Sequence, residues 1–254
     1  MKKLWKLIDL INVRISAVVI FIACALIGEA KPLFLLFLIA LIHEAFHLIV
    51  CILLKVKVES FEILPFGVSL HVKKIENITS LKQIFVYIAG PLSCFVNLPV
   101  IYILYKYNFI NEVNFNFLLR INYSMCIVNL LPIFPLDGYM IFKAFLQLFF
   151  PYKKALKCSM IISIISFVLF LTYNFISFQP MISCFLLIEQ IKHVHDYKTI
   201  YKNFLIDKSM MKKRKRYKLI EDYQMYKDVN NYKIEKEKVL NDADIAAVEL
   251  KQYI

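Results

Sequence analysis

Glycine and proline are scarce in this 254-residue chain, which has four of the first and eight of the second. Collagen-like and low-complexity repeats depend on these residues and are excluded. The six cysteines form no C-x-x-C pair, so neither a disulfide framework nor a thiolate zinc site is predicted. Charged residues make up 20% of the chain and hydrophobic residues 60%, against about 45–50% apolar residues in soluble domains. The composition therefore excludes a soluble or a disordered chain and predicts a polytopic helical membrane protein.

A membrane-spanning helix needs about 20 predominantly apolar residues, and several stretches meet this requirement. The clearest is 32–54, and the others lie at 11–28, 83–105, 114–136 and 158–191. The last run is too long for one span, so we predict two short spans with a break between Tyr173 and Pro180. The predicted fold class is all-α and polytopic, with about six transmembrane helices and a short connector at 138–157.

One segment departs from the helical pattern. Between residues 56 and 72, apolar and polar residues alternate on both sides of Pro65-Phe66-Gly67. Alternation around a proline–glycine turn is typical of a β-hairpin. We predict a small β-hairpin at 56–72 on the cytoplasmic face of the membrane, with a plain loop as the alternative.

The positive charge of the chain is unevenly distributed. Its 31 Lys and Arg against 19 Asp and Glu give a net charge of +12, concentrated at the N-terminus, at 55–82, at 153–157 and in the tail. By the positive-inside rule, six spans place these segments and both termini on the cytoplasmic side. Residues 1–30 have loose features of a signal peptide, but another span follows at once and favours an uncleaved first helix.

The C-terminal part of the chain is basic and polar. We predict a transmembrane domain at 1–195 and a basic cytoplasmic tail at 196–254, of which 219–250 forms a polar helix. The cluster at 212–218 is expected to bind anionic lipid headgroups, where each basic residue contributes about 1 kcal/mol; a solvated cytoplasmic segment is the alternative. No nucleic-acid-reading motif is present, so no nucleic-acid partner is expected.

The first candidate functional residues are His43, Glu44 and His47, which form an H-E-x-x-H motif. Two histidines four residues apart on a helix project from one face and can bind the same zinc ion, with the glutamate beside the open position. Charged side chains at the centre of a membrane cost about 2.5–3.5 kcal/mol each. Three ionisable groups in the most apolar span therefore indicate a functional site rather than a polar packing contact.

A catalytic zinc usually has three protein ligands, and the sequence offers one clear candidate for the third. Asp137 is the only acidic residue between Val113 and Ile188. Two prolines loosen the helix before it, and Gly138 permits an unusual turn after it. Asp137 could thus turn inward to the site, or cap the connector instead.

Four motifs together resemble a known family: 43–47, 64–67, 89–92 and 129–138. They are similar to those of the site-2 protease family of intramembrane zinc metalloproteases, most of all the stage IV sporulation FB branch, which cleaves the pro-form of a sporulation sigma factor. The chain departs from the pattern at Val68 and Tyr139, where a second glycine is common. Its tail also lacks the βαβ pattern of a complete CBS domain, which this branch often carries.

The resemblance implies a role for each matching residue. His43, His47 and Asp137 match the ligands of one zinc ion, and Glu44 matches the catalytic glutamate. Asn129 and Pro135 lie in the motif near the site, and Asn129 is a candidate oxyanion donor.

The resemblance also implies partners and a location. The implied substrate is a membrane-associated segment of another protein, received with the help of a membrane-dipping hairpin at 56–72, and membrane regulatory partners are expected. The implied location is the bacterial cytoplasmic membrane, or the outer forespore membrane for a sporulation protease.

Two other functions remain open at this point. Another membrane zincin, of the prenyl-protein protease type, would take its third ligand from Glu29, Glu112 or Glu189. A metal-binding transporter or a non-catalytic scaffold would need the ligands but no general base at Glu44.

Overall fold

The apolar runs of the sequence form long helices. The computed structural model describes residues 11–13, 22, 26, 30–64, 67–72, 75–177, 180–210, 216–235 and 238–251. The helices of at least eight residues are α1 (Ala30–Leu53), α2 (Ser80–Lys106), α3 (Glu112–Leu130), α4 (Asp137–Phe149), α5 (Tyr152–Ser177), α6 (Pro180–His195), α7 (Tyr197–Met210) and α8 (Asp242–Leu250). The strands are β1 (Ile11–Val13), β2 (Val58–Leu64), β3 (Gly67–Val72), β4 (Tyr217–Leu219), β5 (Asn230–Glu235) and β6 (Lys238–Leu240).

Three helical stretches of the described chain are long and apolar enough to cross a membrane: Phe34–Leu53, Ser80–Lys106 and Tyr152–Thr172. The predicted helical class is confirmed, whereas the count of six spans goes beyond these three and stays a prediction. Helix α3 carries Glu112 and Arg120 within its 19 residues, and α6 has only 16 residues. The predicted connector at 138–157 is itself helical, formed by α4 and the start of α5.

A small sheet with the order β1-β2-β3 accompanies α1. Strands β2 and β3 pair antiparallel from Val58 opposite Val72 to Leu64 opposite Gly67, so the structure contains the hairpin predicted at 56–72. The turn residues 65 and 66 lie outside the described residues. Strand β1 pairs parallel with β2, so the prediction of a helix from residue 11 is wrong for Ile11–Val13. Most of the remaining 14–28 stretch lies outside the described residues.

The chain divides into two compact units. The first contains the described residues of Met1–Lys73 together with Phe85–Leu130, and the second those of Lys74–Ile84 and Leu131–Ile254. In the first unit, Ile39 of α1, Ile101 of α2 and Leu118 of α3 form a buried apolar cluster. These contacts join α1, which carries the H-E-x-x-H motif, to α2 and α3.

In the second unit, the C-terminal segment, which comprises residues 216–235 and 238–251, packs on α5 and α7. Tyr152 and Phe204 stack with ring centroids 3.7 Å apart, and the surrounding buried cluster includes Ile220, Met225 and Ile245. The polar helix predicted over 219–250 is wrong, because this stretch forms β5, β6 and the short helix α8. Asn, Asp and Val around 228–231 are poor helix formers, and Asn241 starts α8 with a capping box.

An ion cluster of two buried lysines and one partly exposed glutamate links the C-terminal segment to α4. Glu76 Oε1 lies 2.6 Å from Lys143 Nζ of α4, and Glu76 Oε2 lies 3.5 Å from Lys227 Nζ. The Lys227 ammonium also donates to Gln147 Oε1 of α4 at 3.0 Å. Burial alone would raise the pKa of Glu76, but the two ammonium groups outweigh it and hold that pKa at about 2. The cluster fixes α4, the helix that begins at Asp137, to the folded C-terminal segment.

Candidate metal centre

Helix α1 brings the three residues of the H-E-x-x-H motif together. His43 and His47 are one helical turn apart, so their imidazoles project from the same face. Both are almost fully buried, with 3% and 5% of their surface exposed, while Glu44 is half-buried. The apolar residues on either side form a continuous helix, so the motif lies near the middle of the span Phe34–Leu53.

The distances between the ligand atoms fit a single metal ion. The Nε2 atoms of His43 and His47 are 3.2 Å apart. Zinc–nitrogen bonds of about 2.05 Å at a tetrahedral angle would place two nitrogens about 3.3 Å apart. One ligand atom from each of His43, Glu44 and His47 lies within 4.8 Å of the other two. Two imidazoles and one carboxylate are ligand types that zinc prefers.

A backbone carbonyl of α2 orients His47. The Nδ1 atom of His47 lies 2.6 Å from the carbonyl oxygen of Val86. A carbonyl oxygen can only accept, so Nδ1 carries the proton and the lone pair of Nε2 is directed away from it. Metal-binding histidines are commonly held this way by a second hydrogen bond, which fixes both tautomer and ring orientation.

Gly90 of α2 lies directly against both imidazoles. A Cβ atom at residue 90 would be 2.6 Å from Cε1 of His43 and closer still to Nε2 of each histidine. No side chain fits at such distances, so only glycine allows α2 to approach the histidine pair here. The backbone of α2 therefore forms one wall of the site.

Polar contacts in the membrane-spanning region fix α2 against α3. Asn122 of α3 donates through Nδ2 to the Cys94 carbonyl at 3.0 Å and accepts at Oδ1 from Asn97 Nδ2 at 3.0 Å. The thiol of Cys126 donates to the carbonyl of Pro91, with sulfur and oxygen 3.8 Å apart. Buried side-chain hydrogen bonds between helices are a general means of association in membranes, and these set the position of Gly90.

The other predicted site residues lie elsewhere along the chain. Asn129 is in the last turn of α3, and its side-chain amide donates to the Met125 carbonyl at 3.0 Å. Asp137 is the half-buried first residue of α4, where the helix dipole favours a carboxylate. Pro135 and Asp137 belong to the second unit, and the meeting of Asp137 with the two imidazoles stays a prediction.

Neither Gly90 nor Val86 is among the site residues predicted from the sequence. Gly90 belongs to the 89–92 motif, and the contribution of Val86 comes from its backbone. The signal that could have found Gly90 is its rarity, because the chain has only four glycines and a helix interior disfavours this residue.

Known proteins share the fold of this chain and part of its sequence. No family model matches the chain. Among solved structures, the chain is similar to the site-2 protease from Methanocaldococcus jannaschii, with a TM-score of 0.54 and 24% identity, covering 72% of this chain and 89% of that one. The fold is therefore that of a site-2 protease.

Among curated proteins, the chain is similar to stage IV sporulation protein FB of Bacillus subtilis (strain 168). The two are 32% identical over 130 residues, which cover 51% of this chain and 45% of the relative. The chain thus matches less than half the length of this relative. The resemblance predicted from the sequence, to the site-2 protease family and its stage IV sporulation FB branch, is confirmed.

Proposed function

We propose that this chain is a zinc-dependent intramembrane metalloendopeptidase that hydrolyses a peptide bond in or near a membrane-associated segment of a protein substrate. The observation that carries the proposal is the buried pair of imidazoles, with Nε2 atoms 3.2 Å apart and Glu44 beside them. The site-2 protease fold and the curated sporulation relative support the same activity.

His43, His47 and Asp137 are the proposed ligands of one zinc ion. The His47 contact with Val86 places the proton on Nδ1, so the lone pair of Nε2 can bind the metal, and the backbone at Gly90 brings no side chain into the site. When bound, zinc supplies a water of pKa about 7 and polarises the scissile carbonyl. The charge of Asp137 would offset part of the metal charge, which the low dielectric of the membrane leaves unscreened.

Glu44 is the proposed general base and acid. One of its carboxylate oxygens lies within 4.8 Å of a ring nitrogen of each histidine, so it can accept the proton of the attacking water. It then transfers that proton to the leaving amine nitrogen. Asn129 is proposed to donate to the oxyanion through the second N–H of its side-chain amide, because the first donates to the Met125 carbonyl.

The substrate must present an extended peptide, because a helix hides its carbonyls in its own hydrogen bonds. Among the described strands, β3 lies at the edge of its sheet, and an extended segment could add to that edge through main-chain hydrogen bonds. We propose that the substrate is the pro-form of a sporulation sigma factor. The corresponding location is the bacterial cytoplasmic membrane or, during sporulation, the outer forespore membrane.

Coexpression with a membrane-associated pro-protein tests this function. The chain should release a new fragment, and Glu44→Gln should slow its release about 10²- to 10⁴-fold, the usual contribution of a general base, while the purified variant keeps its zinc. Full cleavage by Glu44→Gln would contradict hydrolysis and favour a transporter or scaffold.

Matched variants separate the two protease types. Glu112→Gln and Glu189→Gln make the same chemical change at the start of α3 and at a residue paired with Lys192 at 2.7 Å. Both should cleave at the wild-type rate, whereas Asp137→Ala should bind zinc more weakly, through the two histidines alone, and lose activity. The opposite result would indicate a zincin of the prenyl-protein protease type.

A further inference from the structure

The segment that precedes Asp137 is held by buried polar groups on α5. The backbone N–H of Phe134 donates to Ser163 Oγ at 2.8 Å, and Ser163 in turn donates to Gln190 Oε1 of α6 at 2.9 Å. Ser163 is fully buried and Gln190 is 5% exposed. The backbone three residues before Asp137 is therefore fixed by a hydrogen-bonded chain that reaches two helices.

The segment that follows Asp137 is held in the same way by His193 of α6. His193 Nε2 lies 2.6 Å from the Tyr139 hydroxyl, which also lies 3.3 Å from Ser159 Oγ of α5. The His193 ring stacks on Phe134 with centroids 3.9 Å apart and an interplanar angle of 5°. One imidazole thus contacts residues on both sides of Asp137.

This polar clamp, formed by Ser159, Ser163, Gln190 and His193, is not needed to fill space. A buried hydrogen-bonded pair adds little net stability to a protein, but removing one of its two partners is strongly destabilising. Apolar side chains would fill the same volume without this penalty. Hydrogen bonds, in contrast, specify one geometry. Ligands that bind a metal well are held by such secondary contacts, whose loss typically reduces metal affinity about 10- to 100-fold.

We propose that His193 is a positioning residue that holds Asp137 in its metal-binding orientation through Tyr139 and Phe134. This inference rests on the proposed function, in which Asp137 is a zinc ligand. His193 does not contact the metal itself; it fixes the backbone from which Asp137 projects. His193 is 5% exposed and part of this buried hydrogen-bonded chain.

A double-mutant cycle on the full-length chain in detergent tests the proposal. Zinc affinity is measured by chelator competition for wild type, His193→Ala, Asp137→Ala and the double variant, and cleavage gives kcat and KM. His193→Ala should weaken zinc binding about 10- to 100-fold and lower kcat with little change in KM. In the Asp137→Ala background, His193→Ala should cause no further loss of zinc affinity.

Two further variants control for folding. His195→Ala changes an exposed histidine of the same helix and should leave zinc affinity unchanged. His193→Gln keeps a hydrogen-bonding group for Tyr139 and should recover part of the lost affinity, which keeps the test decisive if His193→Ala does not fold.

The outcomes distinguish this inference from the proposed function. If Asp137→Ala binds zinc more weakly but both His193 variants bind it within twofold of wild type, the positioning role is wrong and the ligand role stands. Equal losses from His193→Ala with and without Asp137 would also overturn it, because they would show a general structural effect. Wild-type zinc affinity in Asp137→Ala would overturn the ligand role, and the positioning role with it.

Discussion

Gly90→Ala is the smallest change that tests the geometry of the metal centre. The added methyl group would lie 2.6 Å from Cε1 of His43 and closer to both Nε2 atoms. Carbon contacts are optimal at about 3.5–4.0 Å, so the imidazoles or α2 must move by about 1 Å. The hydrogen bond from His47 to Val86, four residues earlier on α2, resists that movement.

The expected loss follows from the cost of overpacking. Inserting a methyl group into a packed site costs about 1–3 kcal/mol, which corresponds to about a 5- to 150-fold loss of zinc affinity if all of it falls on the metal-bound geometry. Without the clash, the same substitution would stabilise a helix interior by about 0.5–1 kcal/mol. A loss of zinc affinity in Gly90→Ala would therefore support the close approach of α2 to the imidazoles, and an increase in stability would exclude it.

The assay measures zinc content by chelator competition, cleavage rate and thermal unfolding on the purified chain. Leu92→Ala, which changes a side chain 48% exposed on the same helix, is the control and should retain zinc and activity. A Gly90→Ala protein that binds zinc as tightly as wild type and unfolds at the same or a higher temperature would refute the reasoning.

Two further predictions concern buried polar contacts. Asn122→Leu removes the amide that joins α2 and α3 and should destabilise the protein by about 0.6–1.7 kcal/mol, measured by SDS-induced unfolding. Asn97→Ala should have a smaller effect, and an Asn122→Leu protein as stable as wild type would contradict the role of this contact. The pKa of Glu76 is about 2, below its ordinary 4.5. The contribution of ionised Glu76 to the free energy of unfolding is therefore complete above pH 4.5 and lost as the pH falls through 2. Glu76→Gln should remove this acid dependence and cost about 3 kcal/mol by leaving Lys227 buried without its carboxylate, measured by urea unfolding against pH; an unchanged acid dependence would exclude Glu76 as its source.

The sequence predicted the histidine pair because that part of the site is local. Four residues on a helix bring His43 and His47 together regardless of the rest of the fold, and the surrounding apolar run fixes the helix. The hairpin at 56–72 could be predicted for the same reason, since a two-residue period identifies a strand within a few residues. These predictions required no knowledge of which helices are neighbours.

The remaining structure depends on contacts between distant segments. The Val86 carbonyl and Gly90 act on residues about forty positions earlier, and neither contribution involves a side chain that a pattern could register. Strand β1 forms only by pairing with β2, so its apolar residues resembled the start of a membrane span. The polar helix predicted at 219–250 failed because poor helix formers at 228–231 interrupt it and Ile220 is buried in the apolar cluster, so only its last part, α8, is helical.

The register of one helix determines the geometry of the histidine pair. Val86, Gly90, Cys94, Asn97 and Ile101 recur at intervals of three and four residues, so they form a single stripe along α2. Val86 orients His47, and Gly90 makes room for both imidazoles. Cys94 and Asn97 bind α3, and Ile101 packs into the apolar cluster. A shift of α2 by one residue would turn the stripe by about 100° and place a side chain where the glycine now lies. The hydrogen bonds to α3 therefore help to fix the geometry of the histidine pair, although they involve neither histidine.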